Sequence, residues 1–187
     1  HARRPAEAEP ARCRRTRLQR RGRYRSSRRC GRVAYPGEPW RAHRSWRNVV
    51  PNFRALCSAA SNATWQRIKT INGPCELSIV LANDEFIRKL NKKFRGENKP
   101  TNVLSFPAAM DKVNMGGDIP SLGDIVLALE TVIAEAHENL SQHFSHLIVH
   151  GCLHLVGHDH LEEAEAVKME ALEVEILKTL NIKNPYV

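Results

Sequence analysis

The stretch HGCLHLVGHDH, residues 150 to 160, contains three histidines whose spacing restricts how this part of the chain can fold. His150 and His154 are four residues apart, so on an α-helix they lie one turn apart on the same face. A third ligand on the next turn would be poorly placed, so the chain must turn back. Glycine is the residue type that most readily ends a helix in the left-handed conformation, and the chain has one at Gly157. The pattern predicts a helix that ends near Gly157, after which His160 returns toward the other two imidazoles.

Three convergent imidazoles are typical of a metal site. Zn²⁺ binds histidine nitrogens at about 2.0–2.1 Å, and three protein ligands leave one tetrahedral position open, as in catalytic zinc sites. We therefore interpret His150, His154 and His160 as ligands of one zinc ion and as catalytic residues. We expect His146, one turn earlier, and Asp159, beside the third ligand, to support them by hydrogen bonding. The alternative is that these are ordinary surface or core histidines.

The same stretch is similar to the peptidase pattern H-E-x-x-H-x-x-G-x-x-H except at its second position. The chain has Gly151 where such a peptidase carries the glutamate that deprotonates water. The missing glutamate therefore counts against proteolysis.

The positive charge of the chain is concentrated at its start. Residues 1 to 56 contain 17 arginines, no lysine and 3 acidic residues, whereas the remaining 131 residues contain 12 basic and 17 acidic ones. Residues 1 to 38 have few large apolar side chains and no sustained periodicity, so they cannot bury enough surface to offset the loss of chain entropy. We predict a disordered tail over 1–38 and a folded domain over 39–187. The tail is interpreted as an organelle transit peptide, an RNA-binding arm or spurious upstream sequence included through a misplaced start.

The cysteines and the hydropathy pattern predict the compartment. No C-x-x-C pair or disulfide framework is visible, so we interpret the cysteines as free thiols in a reducing environment. No apolar run is long enough for a membrane span, and no secretory signal is present. We expect a soluble cytoplasmic protein, or a mitochondrial or plastid one if the start is a transit peptide. The cysteines are Cys13, Cys30, Cys57, Cys75 and Cys152, the last of which we assign to the core.

Hydrophobic periodicity predicts a small α+β domain in which helices, among them the zinc-binding His-x3-His helix, pack on a small mixed β-sheet. The acidic face of the last helix is interpreted as solvated surface. A loop of some 16 residues, 107–122, separates the second and third strands. The predicted elements are a helix over 51–68, a strand over 76–82, a helix over 85–94 capped by Asn83 or Asp84, strands over 101–106 and 123–129, and helices over 130–140, 141–156 (capped by Ser141) and 161–180.

Half of the basic residues after residue 56 lie in one stretch, RKLNKKFRGENKP, residues 88 to 100. Lysines in the last turn of a helix complement the helix dipole, and this alone explains the presence of some of these lysines. Arg95 differs because it directly precedes Gly96 and leads into a turn, where its planar guanidinium can clamp a phosphate. We predict that Arg95, Lys99 and Lys92 contact a phosphodiester substrate.

Three stretches together resemble one family, the YbeY endoribonucleases. They are FRGENKPTNVLSFP (94–107), SLGDIVLA (121–128) and HLIVHGCLHLVGHDH (146–160), in the order and spacing of that family. The resemblance extends from about Trp46 to Tyr186 and does not include the arginine-rich start.

The resemblance implies a single-strand-specific, zinc-dependent endoribonuclease that matures the 3′ end of 16S-type rRNA and acts in ribosome quality control. Its partners would be single-stranded rRNA and the ribosome or small ribosomal subunit. The zinc ligands of the family correspond to His150, His154 and His160, and its functional arginine corresponds to Arg95. RNA hydrolysis can use a metal as Lewis acid and a cation beside the phosphorane, so it does not require the peptidase glutamate. Two alternatives stay open: a non-catalytic zinc-containing ribosome-assembly factor, in which His146 completes the metal site, and a metzincin-like metallopeptidase.

Overall fold

The structure, a computed structural model, describes residues 32–34, 45–68, 75–108, 120–136, 139–160 and 162–187. Most of the predicted tail, and residues 109–119 of the long loop, lie outside these ranges. Within the described residues, no helix is both long enough and apolar enough to cross a membrane.

The described elements follow the predicted order, with one additional strand at the start. Residues 45–49 form a short helix before the first long one. The remaining elements are β1 (Arg32–Ala34), α1 (Phe53–Arg67), β2 (Glu76–Ala82), α2 (Asp84–Arg95), β3 (Val103–Pro107), β4 (Ser121–Ala128), α3 (Leu129–Glu135), α4 (Leu140–Leu155) and α5 (Glu163–Thr179).

The strands form one mixed sheet in the order β1-β2-β4-β3. β1 is parallel to β2 and β2 is parallel to β4, whereas β3 is antiparallel to β4. The predicted α+β fold with a small mixed sheet is therefore confirmed. The predicted extent of the disordered tail is wrong at residues 32–34, because these pair with β2 from Ser78 to Val80. An extended backbone can complete the hydrogen bonds of a sheet edge whatever its side chains are, so periodicity does not reveal such a short strand.

The alternation of β2 and β4 separates the core into two clusters, one on each face of the sheet. Leu77, Ile79 and Leu81 point to the face covered by α1, α4 and α5, where the larger cluster lies. The smaller cluster lies on the face covered by α2 and consists of Ala82, Ile87, Leu104, Val126 and Ala128. This arrangement puts α4, with its histidines, and α2, with its basic residues, on opposite faces.

The N-termini of α2 and α4 show which of the predicted caps form. The side chain of Asn83 accepts a hydrogen bond from Phe86 N at 2.9 Å, which confirms one of the two predicted caps of α2. α4 is capped by Asn139, whose side chain accepts from Gln142 N at 3.1 Å. The predicted cap Ser141 is wrong because asparagine caps a helix as well as serine does and occurs two residues earlier.

Burial is expected to keep at least two thiols unreactive in the folded protein. Cys57 and Cys152 are free thiols, as predicted, and both are buried, which raises the pKa of each to about 12. Because the thiolate is the nucleophile, iodoacetamide at mildly alkaline pH should leave both unmodified until urea unfolds the chain. Peptide mass spectrometry with and without urea measures this, and modification of either residue in the folded protein would contradict it.

Candidate metal centre

Helix α4 carries the first two histidines and ends so that the third returns. Gly157 has a φ of 90°, the left-handed conformation that the sequence predicts. Its amide donates to His154 O at 3.1 Å, and the amide of His158 donates to Leu153 O at 3.1 Å. These paired hydrogen bonds form a Schellman motif, which satisfies the last carbonyls of the helix and reverses the chain. His160 then lies beside the helix, with its ring centroid 5.0 Å from that of His154.

The three histidines form a group of suitable size for one metal ion. One nitrogen from each of His150, His154 and His160 lies within 4.8 Å of the others. The Nε2 atoms of His150 and His154 are 3.1 Å apart. Zinc–nitrogen bonds of about 2.0–2.1 Å at tetrahedral angles separate ligand nitrogens by about 3.3–3.4 Å. The donor set therefore fits zinc after small movements of the side chains.

The electrostatics of the cluster favour a neutral imidazole at His154. Burial, followed by the neighbouring His150 and His160, lowers the pKa of His154 to about 4. His154 is therefore neutral at physiological pH and keeps a lone pair available. Neutral imidazole is the form that binds a metal.

A buried carboxylate that the sequence analysis missed, Glu173 of α5, holds the first histidine. Its side chain is fully buried. Oε1 lies 2.7 Å from His150 Nδ1, Oε2 lies 2.8 Å from His146 Nε2, and Oε2 also accepts a hydrogen bond from the hydroxyl of Tyr186. Because an ionised carboxylate can only accept, Nδ1 of His150 must carry a proton. The other nitrogen, Nε2, then presents its lone pair to the cluster.

Glu173 is ionised although it is buried. Burial would raise the pKa of Glu173, but hydrogen bonds from His146 and His150 lower it to about 2. Burial, together with the hydrogen bond to Glu173, raises the pKa of Tyr186. At neutral pH the carboxylate is therefore negative and the phenol keeps its proton, which matches the direction of the hydrogen bonds.

The position of Glu173 in the sequence pattern could have predicted that its side chain is buried. It lies four residues after Met169 and three before Ile176, and both belong to the apolar stripe of the last helix. An acidic residue at a stripe position is buried, and a buried charge requires partners. The interpretation of this helix's acidic residues as solvated surface is wrong for Glu173, whereas Glu170 and Glu175 are exposed.

The two residues expected to support the ligands lie in different places. His146 contacts Glu173, so it reaches His150 only through that carboxylate. Asp159 Oδ1 accepts from the amide of His160 at 2.8 Å and lies 3.9 Å from His154 Nδ1, which is too long for a hydrogen bond. Asp159 therefore orders the turn that carries the third histidine.

The histidines and Arg95 line a common pocket of about 210 Å³. Arg95 is the last residue of α2, its side chain is exposed, and it forms no ion pair with a described carboxylate. The pocket lies at β3, an edge strand of the described sheet, where residues from both faces can meet. It is lined by Arg95, Thr101, Asn102, Val103, Ser105, His150, His154 and His160.

The structure does not bring the two predicted substrate-binding lysines into this pocket. Lys99 Nζ pairs with Glu97 Oε2 at 2.8 Å, and its side chain is exposed. Lys92 is exposed on α2. Of the three cations, Arg95 alone lines the pocket, because it is the one at the junction between α2 and the turn to β3.

Gly151 lies where a metallopeptidase would carry its glutamate. The residue is buried, and a Cβ atom there would be 2.9 Å from Cγ2 of Ile125 on β4. This position faces the sheet and has no room for a longer side chain. The packing of α4 on β4 therefore disfavours the peptidase alternative independently of the motif.

Fold and site together define a class: small α+β proteins with a three-histidine centre able to hold a metal, beside an arginine in the same pocket. The family model described as Endoribonuclease YbeY matches residues 42–181. The chain belongs to the YbeY endoribonuclease family, as its motifs predict.

Individual relatives agree with this assignment. An Endoribonuclease YbeY of Paramagnetospirillum magneticum is 44% identical over 148 residues, which cover 76% of this chain and 90% of the relative. One from Rhodopseudomonas palustris is 44% identical over 157 residues, 82% of this chain and 79% of the relative. One from Parvibaculum lavamentivorans is 52% identical over 120 residues, 59% of this chain and 65% of the relative. A solution structure of a Thermotoga maritima protein aligns with 81% of this chain and 91% of its own, at 21% identity and a TM-score of 0.44.

Proposed function

We propose that this chain is a zinc-dependent endoribonuclease that cleaves single-stranded RNA in rRNA processing. The observation that carries the proposal is the common pocket in which an exposed arginine and three histidines meet. A phosphodiester is a substrate class that can use both a metal and a guanidinium. The family and its relatives, each named as an endoribonuclease, support RNA as the substrate.

Each residue of the pocket has a distinct part in the proposed reaction. When bound at the three histidines, zinc supplies Lewis acidity at the scissile phosphate. Arg95 binds the phosphate oxygens through its planar guanidinium and stabilises the negative charge that increases on them in the transition state. Glu173 keeps His150 in one tautomer and one orientation, and Asp159 orders the backbone at His160.

The non-catalytic alternative requires a closed site with a fourth protein ligand, and His146 was the candidate for it. Nε2 of His146 lies 2.8 Å from Glu173 Oε2, and its ring centroid is 6.4 Å from that of His150. Its contact with Glu173 directs His146 to a supporting position. An open site, which catalysis requires, therefore fits the arrangement better than a closed structural one.

The finer parts of the proposal follow from the family resemblance. We propose maturation of the 3′ end of 16S-type rRNA, ribosome quality control, and the ribosome or its small subunit as partner. We propose the cytoplasm as compartment, with mitochondrion or plastid as the alternative. The free, buried state of Cys57 and Cys152 is compatible with these reducing compartments. Sedimentation with ribosomal subunits, and imaging of the tagged full chain, test these parts.

Cleavage of single-stranded RNA is expected to depend on the metal and on His154. The full chain, loaded with zinc, should cut end-labelled single-stranded RNA, and a chelator should abolish cutting. His154→Ala should lose cleavage by about 100-fold or more, because it removes one ligand and weakens the site from which the metal acts.

The control is His158→Ala, purified identically, because this neighbouring histidine contributes only its backbone amide to the described contacts. It should cut at the wild-type rate. If His154→Ala cuts as fast as His158→Ala, or the chelator has no effect, the activity does not arise at this centre and the proposal fails.

A further inference from the structure

Phe94 is a fixed and exposed aromatic ring beside the candidate metal centre. Its relative exposure is 58%, whereas the other four phenylalanines of the chain are buried or half-buried. The ring packs edge-on against Phe106, with centroids 5.1 Å apart and planes at 63°. Phe94, the last aromatic residue of α2, is thus largely in water. A ring that packs against one aromatic neighbour and is otherwise open to solvent can stack with a planar ligand.

The charge around Phe94 indicates the chemistry of that ligand. In the same stretch, Lys89 pairs with Glu85 at 2.6 Å and Lys99 pairs with Glu97 at 2.8 Å. The three cations nearest to Phe94 in the chain, Lys92, Lys93 and Arg95, form no ion pair with any described carboxylate. Lys93 Nζ also lies 5.1 Å from the centroid of the Phe94 ring. An exposed ring among unpaired cations suits a ligand that combines flat apolar groups with negative charge.

Phe94 adjoins the pocket through both of its neighbours. Arg95, the next residue, lines the pocket, and consecutive Cα atoms are about 3.8 Å apart. Phe106, its packing partner, follows Ser105, which also lines the pocket. Because side chains alternate along β3, Ser105 points to the histidine face and Phe106 to the α2 face. A nucleic-acid strand that crosses the edge of β3 would therefore pass from the pocket to the Phe94 ring.

We infer that Phe94 is a stacking site for one nucleobase of single-stranded RNA, belonging to a nucleotide adjacent to the phosphate held in the pocket. The inference rests on the proposed function. Aromatic stacking combined with phosphate-binding cations is how single strands are bound without sequence preference. The unpaired bases of a single strand can reach the ring, whereas bases inside a duplex are already stacked, so the site also selects single-stranded substrate.

The inference is tested by RNA binding to the full chain in the presence of a chelator, with fluorescence anisotropy of a short end-labelled single-stranded RNA. Phe94→Ala should weaken binding by about 5- to 140-fold, which corresponds to about 1–3 kcal/mol per stacked base. Phe94→Tyr, which keeps the ring, should bind like wild type. Val167→Ala is the matched control, since Val167 is an apolar residue of similar exposure, 61%, on α5.

The salt dependence distinguishes stacking from charge. Phe94→Ala should leave the slope of log affinity against log salt unchanged, because no phosphate contact is lost. Lys93→Ala should make that slope shallower by up to about one unit, as expected for one phosphate contact. When the RNA carries an abasic nucleotide at the stacked position, wild type should bind it more weakly than intact RNA. Phe94→Ala should bind the abasic and the intact RNA equally.

The possible outcomes separate this inference from the proposed function. If wild type cleaves RNA and Phe94→Ala binds RNA as tightly as Val167→Ala does, the stacking site is wrong and the nuclease stands; the ring then serves another purpose, such as protein docking. If wild type binds RNA through Phe94 but does not cleave it, the stacking site stands and the nuclease fails. If wild type cleaves RNA with zinc but does not bind it without the metal, the stacking site fails and the nuclease stands; if wild type neither binds nor cleaves single-stranded RNA, both fail.

Discussion

Replacing Glu173 with glutamine is expected to weaken zinc binding by about 10- to 100-fold. The carboxylate accepts hydrogen bonds from His146, His150 and Tyr186. Glutamine keeps the size of the side chain but replaces one acceptor oxygen by an NH₂ group, which can only donate. At least one histidine must then lose its hydrogen bond or change tautomer. If His150 moves its proton to Nε2, that nitrogen no longer offers a lone pair to the metal.

Zinc affinity is measured by competition with a chromophoric chelator, so the result does not depend on nuclease activity. The control is Glu170→Gln, an exposed glutamate three residues earlier on α5, which should bind zinc like wild type. Tyr186→Phe removes one of the three hydrogen bonds and should have an intermediate effect. Equal zinc affinity of Glu173→Gln and Glu170→Gln would show that the carboxylate does not orient His150.

Replacing Gly123 with alanine is expected to lower the free energy of unfolding by about 3–5 kcal/mol. Gly123 is in β4 with a φ of 125°, a conformation that side chains strongly disfavour. A Cβ atom there would overlap the carbonyl oxygen of Phe106 and lie 2.9 Å from the amide of Ala108. Both obstacles are backbone atoms, one in β3 and one in the residue that follows it, so they cannot move away as a flexible side chain would.

Urea denaturation measures the loss, and Gly96→Ala is the matched control. Gly96 also has a positive φ, 77°, but an added Cβ would meet nothing within 4 Å. Its substitution should cost only backbone strain, about 1–2 kcal/mol. The difference between the two variants isolates the collision with β3. If Gly123→Ala were no less stable than Gly96→Ala, the close approach of β3 and β4 would be wrong.

The same substitution should also disturb the metal pocket. Gly123 pairs with Pro107 at the end of β3, two residues after Ser105 in the pocket wall. Separation of the strands at this point would move the wall away from Arg95. Gly123→Ala is therefore expected to reduce RNA cleavage at temperatures at which the protein is still folded.

Strong local patterns were sufficient to predict much of the fold. ELSIVLA, residues 76–82, was predicted as a strand and forms β2 with the same bounds. The His-x3-His spacing and Gly157 predicted both the shared face of two histidines and the return of the third. These features depend on helical periodicity and on the conformational freedom of glycine, which involve residues that are neighbours in the chain.

The sequence by itself determined the α+β class and the grouping of the three histidines. It also determined that Arg95, which directly precedes Gly96, lies where a helix leads into a turn. Only the tertiary structure decided that Glu173 fixes His150 across 23 residues, that β1 completes the sheet, and that Arg95 reaches the histidines from the opposite face. The physical reason is that each of these contacts joins segments far apart in the chain. Local periodicity determines which face a residue occupies, but the packing of the helices on the sheet determines which faces meet.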